Sequence, residues 1–265
     1  MARRKSETAE DTDDSVLRYR APALEKGLDI IEALASSPKP MAPRFISERL
    51  NRSVSELFRM VQVLENRGYV AMAENQSGYE LTNKLFTLCM SRGISKNLLD
   101  HAVPVMRSLT ENILQACHLV VASEDQIVVV GQMDSPAAPS FHVRVGYRIN
   151  IVESVSGATL YAFQKPKVRA AWAEALRPSV TEGEWARFDE QAGTAATNGY
   201  LAAKSLYSDS ITDISCPVFN DRGIVAALTI PYIKSKLSVS IEECAKSLVD
   251  AGAHLSTALG ATSDT

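Results

Sequence analysis

Cysteine is scarce in this chain, and none of its four cysteines (Cys89, Cys117, Cys216, Cys244) stands in a CxxC pair. That spacing excludes a zinc ribbon and a dithiol redox motif, and makes reduced thiols in a cytoplasmic setting the expectation. No apolar run is long enough to cross a bilayer, so no membrane partner is expected. Arg3, Arg4 and Lys5 are followed by no apolar segment, which argues against a secretory signal. The sequence also lacks a GxSxG elbow, an HExxH pair, a phosphate-binding P-loop and a GxGxxG fingerprint. Its four histidines (His101, His118, His142, His254) include no i, i+4 pair. No catalytic residue, cofactor or metal is therefore expected. A metal built from His118, His142 and Cys216 would need tertiary contact, and buried structural roles are commoner for such residues. Positive charge is not in excess either. A formal net charge of -3 argues against general nucleic-acid binding, though not against a small basic face on an acidic body.

What is present is a globular composition, 46% hydrophobic and 22% charged, over 265 residues. That length suffices for one large or two medium domains with real cores. The most informative stretch runs from Ser53 to Gly68. Ser53 and Glu56 have the spacing of a capping box, and Gly68 after Arg67 has the form of a helix stop. Val54, Leu57, Phe58, Val61 and Leu64 follow the spacing of a helix buried on one side. Ser55, Arg59 and Gln62 form a polar row on the other side, with Arg52 just before the start. Arg can pair with guanine O6 and N7, Gln with adenine, and Ser with a base or a phosphate. A helix of this kind suits a DNA major groove, although by itself it also suits an ordinary protein surface.

Its neighbours favour the groove. Residues 1–20 are almost without apolar side chains and read as a disordered tail. Ala23 to Ser36 reads as a helix with a stripe of Leu24, Leu28, Ile31 and Leu34. A second helix opens at Pro43, buries Phe45 or Ile46, and ends near Leu50. Asn51 and Arg52 then turn the chain into the Ser53 helix, completing a helix-turn-helix. Tyr69 to Met72 and Tyr79 to Leu81 read as the two strands of a wing. Over 43–68 there are five basic and three acidic residues, so positive charge concentrates where the groove contact is expected. Candidate DNA contacts are Arg44, Arg52, Ser53, Ser55, Arg59 and Gln62, with Arg44 and the wing meeting phosphates.

Further on, Leu85 to Cys89 reads as a linker helix. Leu98, Ala102, Val105, Leu109 and Ile113 stripe a longer one, with Pro104 inside it or near its first turn. Strands are expected at 118–122, 127–133, 141–145, 149–152, 199–204, 214–219 and 224–232, and helices at 154–163, 166–176 and 184–192. Asn220-Asp221-Arg222-Gly223 is a hairpin turn, and Ser240 with Glu243 caps a final helix. This grouping predicts an α+β fold with an antiparallel sheet. The expected domains are a tail (1–20), a winged helix-turn-helix (21–83), a linker helix (84–97) and an effector-binding domain (98–265).

The segments Leu24–Ile30, Ile46–Leu50, Val61–Val70 and Gly78–Thr82 resemble the N-terminal pattern of IclR-family transcriptional regulators. Val143–Gly146, Ser156–Leu160, Ile214–Val218 and Ala226–Pro231 are similar to segments of that family's ligand-binding domain, so the resemblance covers most of 22–260. It implies a winged helix-turn-helix, a linker helix and a GAF-like sensor domain. It also implies operator DNA as partner, a homodimer or dimer of dimers, and control of a catabolic operon as its repressor or activator.

The start of the 154–163 helix is the first candidate for the ligand. A helix N-terminus offers free N–H groups and partial positive charge, which suit a carboxylate and hence an organic acid. Ser154 as a cap and Gly157 as a packing residue is an equally open reading. The resemblance implies effector contacts at Ser156, Gly157, Asp213, Ser215 and Thr229. Pro231 departs from it, standing where some relatives carry a hydroxyl residue, so the contacts there are expected to differ. His142 and Arg144 share a strand face and either meet an acidic ligand or are solvated, the latter being commoner. The competing reading of the whole chain is a small-molecule enzyme with a helical dimerisation domain.

Overall fold

The computed structural model describes residues 21–74, 76–91, 94–136, 140–141, 143–206, 208–236 and 238–261, with backbone alone at 89–91 and 94–97. The expected tail, His142 and the side chain of Cys89 lie outside the described residues. The chain divides into two compact units, Met1–Arg92 and Gly93–Thr265.

The first unit contains α1 (Pro22–Ala35), α2 (Pro43–Leu50) and α3 (Val54–Asn66), a two-stranded antiparallel wing of β1 (Val70–Met72) and β2 (Tyr79–Leu81), and α4 (Lys84–Ser91). Pro43 opens α2 where its missing N–H costs nothing. Asn51 ends that helix in the left-handed conformation, φ 50°, which makes the sharp turn into α3. Ile30, Leu34, Ile46, Leu57, Val61, Val70 and Tyr79 form the core. Gly78 lies so close to the backbone of Met41 that a Cβ there would overlap it.

Two expected faces differ. On α1, Ile30, Ala33 and Leu34 are buried, while Leu24 is 62% and Leu28 48% exposed. Both sets have helical spacing, so periodicity cannot tell which one meets the unit's own core. On α3, Leu57 and Val61 are buried, but Val54 and Phe58 are about half exposed, on the rim beside Pro43 and Tyr79. Ile46, rather than Phe45, is the buried residue of α2.

The second unit opens with α5 (Ile94–Ile113), so the expected linker 84–97 spans the end of one unit and the start of the next. Pro104 lies inside α5. The strands are β3 (Cys117–Ser123), β4 (Gln126–Met133), β5 (Arg148–Asn150), β6 (Leu201–Lys204), β7 (Ile211–Asn220) and β8 (Gly223–Ile233). They form one antiparallel sheet in the order β5-β4-β3-β8-β7-β6. β7 and β8 meet at the predicted turn, with Asn220 paired to Gly223. The expected strand at 141–145 is absent among the described residues, and Ile151–Glu153 forms a 3-10 turn instead of extending β5.

The helices are α6 (Val155–Ala162), α7 (Pro166–Leu176), α8 (Glu182–Asn198) and α9 (Ile241–Ala258). α5 and α9 cover one face of the sheet, with Met106, Leu119, Ile214, Leu228 and Leu248 between them. α6 and α8 cover the other, over Val120, Val129, Leu160, Trp185, Phe188 and Ala227. α9 starts on the expected reciprocal capping box of Ser240 and Glu243. α8 starts on a second box, Thr181 with Glu184. Among the described residues, no helix is long and apolar enough to cross a membrane.

Candidate functional site

On α3 the outward row is present. Ser55, Arg59 and Gln62 are exposed, because they lie opposite Leu57 and Val61 on a 3.6-residue repeat. Among the described residues Arg59 has no ion-pair partner, so its guanidinium is available to a ligand outside the chain. Ser53 caps the helix by accepting the N–H of Glu56 at 3.2 Å. The carboxylate of Glu56 does not return that bond. It pairs with Lys26 at 2.7 Å and Arg52 at 3.3 Å, and Lys26 chiefly holds it below its usual pKa. Arg52 also reaches Asp29 at 3.7 Å. Ser53 and Arg52 are therefore tied into the joint between α1 and α3. Arg44 projects from α2 and pairs with Glu48 at 2.8 Å. Lys84 covers the end of α3, donating to the Arg67 carbonyl and lying 4.8 Å from the Tyr69 ring centre.

In the second unit a cavity of about 440 Å³ opens on the α6–α8 face of the sheet. Ile127, Val129, Ile149, Val152 and Val155 are its buried apolar wall. Ser156, Thr229 and His118 are buried polar residues that border it, and Asp213 joins them half-buried. Arg144 and Lys204 are exposed at its border, and Arg187 and Gln191 reach it from α8.

Several local causes place these groups. Asn150 caps the 3-10 turn through Val152 N–H at 2.9 Å, and Ser154 caps α6 through Gly157 N–H at 2.9 Å. Val155 and Ser156 then open α6, where N–H groups have no carbonyl four residues back within the helix. Alternation along β3 turns His118 toward the cavity and Leu119 toward α5 and α9. His118 is paired in register with Thr229 of β8. Thr229 donates to Ser215 at 2.9 Å.

The five predicted effector residues thus separate. Ser156, Asp213 and Thr229 line the cavity. Ser215 is fully buried behind Thr229. At Gly157 a Cβ would overlap the Ile151 carbonyl and Ser154 Oγ, so this glycine gives the turn room to close. Two of the three residues weighed against a metal role lie apart: Cys216 faces α9, bonding the Leu248 carbonyl, on the opposite side of the sheet from His118.

Burial pushes Asp213 up to about 6, opposed by a hydrogen bond from Ser205, and pushes His118 down to about 4. His118 is neutral at pH 7 as a result. The buried thiols of Cys117 and Cys216 are pushed up to about 12 by desolvation, which makes them inert. His118, Arg187, Gln191 and Lys204 are not among the effector contacts expected from sequence. The four-residue spacing of Arg187 and Gln191 puts them on one face of α8, but only the folded sheet tells which face that is.

Residues 23–72 match the IclR helix-turn-helix domain, and residues 94–257 match the C-terminal domain of bacterial IclR transcriptional regulators. The chain belongs to the IclR family. As an IclR regulator it has a DNA-binding helix-turn-helix followed by an effector-binding domain, and the enzyme reading is set aside. It is 28% identical over 192 residues to the HTH-type transcriptional regulator KdgR of Dickeya chrysanthemi, covering 71% of this chain and 63% of that protein. It is 22% identical over 253 residues to the HTH-type transcriptional repressor AllR of Escherichia coli strain K12, covering 93% of each. Among solved structures, an IclR homologue from Microbacterium hydrocarbonoxydans in complex with 4-hydroxybenzoate has a TM-score of 0.74 at 21% identity, covering 89% of this chain and 98% of that one. This IclR chain shares that fold.

Proposed function

We propose that the protein represses a catabolic operon and releases its operator when an organic acid fills the cavity beside α6. The cavity itself carries this reading. At about 440 Å³ it lies within the range of small-molecule sites, and its apolar wall and cations match the two ends of an acid with a hydrocarbon body. The N–H groups of Val155 and Ser156 receive the carboxylate, with Arg144, Arg187 and Lys204 adding attraction from the same cavity. The 4-hydroxybenzoate complex of the Microbacterium homologue supports an acid of this size.

On the DNA side, α3 enters the major groove with Ser55, Arg59 and Gln62 toward the bases, while Arg44 and the wing meet phosphates. Two protomers read half-sites about one helical turn apart, roughly 34 Å. The uncovered Leu24 and Leu28 of α1 and Phe86 and Leu88 of α4 supply an apolar surface for the pairing. The expected boundaries, 21–83 for reading, 84–97 for linking and 98–265 for sensing, serve this arrangement, which works in the cytoplasm. The effector acts by preferring one arrangement of the DNA-binding pairs over another.

Selection of binding sites from a random duplex library, with and without a panel of carboxylic acids, tests both halves. A selected palindrome whose retention falls in the presence of an acid is expected. Absence of any selected sequence would reject the DNA half, and an unaltered selection with every acid would reject the effector half.

A further inference from the structure

His118 is 93% buried, borders the cavity, and its Nδ1 has no hydrogen-bond partner among the described residues. Leaving a buried polar atom unpaired is costly, and such atoms are uncommon in native proteins. Both register partners of His118 are engaged elsewhere: Thr229 of β8 donates its hydroxyl to Ser215 at 2.9 Å, and Gln132 of β4 donates its amide to Asp134 at 2.6 Å. An occupant of the cavity can supply the partner that these residues do not. Nδ1 is closed to solvent as the ring stands, and the broad χ2 torsion of histidine allows the ring to turn a nitrogen toward that occupant.

The surroundings also decide which chemistry suits the ring. Burial holds the ring neutral at pH 7. A neutral imidazole has one acceptor and one donor nitrogen. A carboxylate beside it would meet an uncharged ring, whereas a hydroxyl is itself uncharged and can use either nitrogen.

We propose that His118 is a specificity-determining contact of the cavity, and that the effector is an acid with an apolar body bearing an uncharged hydroxyl group that hydrogen-bonds the imidazole. This rests on the reading of the cavity as an acid-binding effector site. It adds a second polar anchor, distinct from the α6 N-terminus, and gives a role to a histidine that stands among aliphatic residues.

The test uses the full chain and matched probes: benzoate with 3- and 4-hydroxybenzoate, and phenylacetate with its hydroxylated derivatives, titrated by calorimetry. In at least one pair the hydroxylated acid is expected to bind about fivefold or more tightly than its parent, the scale of one neutral hydrogen bond. His118→Phe should erase that difference while still binding the parent acid, and His118→Gln, which keeps a donor and an acceptor, should retain most of it. Equal affinity within every pair, or a difference that survives in His118→Phe, overturns the proposal. Should neither variant fold, the wild-type pairs alone decide. No binding by any acid overturns the effector reading beneath it, a separate result from acids that bind without discrimination.

Discussion

Thr229 and Ser215 hold each other across β8 and β7 at 2.9 Å, with the threonine facing the cavity and the serine sealed behind it. Thr229→Val strands the Ser215 hydroxyl in a dry interior, and the expected loss of stability is about 1–3 kcal/mol. Pairing it with Ser215→Ala removes both polar atoms and should recover most of that loss. Chemical denaturation of the two single variants and the double variant measures the coupling. Effector affinity should follow Thr229 alone, since Ser215 never reaches the cavity.

Arg59 and Arg52 differ in a way that a binding assay separates. Arg59→Ala should weaken operator binding by about 1–3 kcal/mol and leave the urea midpoint unchanged. Arg52→Ala breaks pairs with Glu56 and Asp29, so a stability loss of up to about 1 kcal/mol should accompany any loss of DNA affinity. Ser53→Ala removes the α3 cap and should cost about 1 kcal/mol of stability.

Gly157→Ala forces a methyl group into the Ile151 carbonyl and Ser154 Oγ. The expected cost is about 1–3 kcal/mol, as for other overpacked sites. The cap of α6 should open with it, so acid affinity falls together with thermal stability. Full stability with selective loss of effector binding would show instead that Gly157 acts as a direct contact.

Asp213 and His118 impose opposite pH dependences on folding. Asp213 is raised from 3.8 to about 6, so the folded chain keeps a proton that the unfolded chain has released. Its stabilising protonation is complete below about pH 4 and is lost as pH rises through about 6. His118 is lowered from 6.5 to about 4, so the unfolded chain protonates first, and its contribution is lost as pH falls toward 4. Between about pH 4 and 6 the slopes oppose each other, each at most about 1.4 kcal/mol per pH unit. In that window Asp213→Asn should lose stability on acidification relative to the parent, and His118→Gln should gain it. Urea midpoints measured across pH 4–6 give the sign directly.

Much of the first unit was legible because its signals are local. Pro43 at a helix start, the Asn51 turn, the Ser53 cap, the Gly68 stop and the spacing of Ser55, Arg59 and Gln62 all act within a few residues. The same holds for the Asn220–Gly223 turn and the Ser240 box. The stripe on α1 was misjudged because Leu24 and Leu28 have the spacing of core residues but face out of their own unit. The 141–145 stretch has strand-like residues but finds no strand partner among the described residues.

The sequence by itself determined most of the order of helices and strands, the helix-turn-helix with its outward polar row, and the antiparallel character of the second unit's sheet, because capping, turn chemistry and periodicity are short-range. Only the tertiary structure decided that Arg52 is bound to Asp29 and Glu56, that Ser215 lies behind Thr229, and that His118, Arg187 and Lys204 meet around one cavity. Those side chains come from β3, α8 and β6, which are far apart along the chain, and it is the pairing of strands and the burial of helix faces that bring them together.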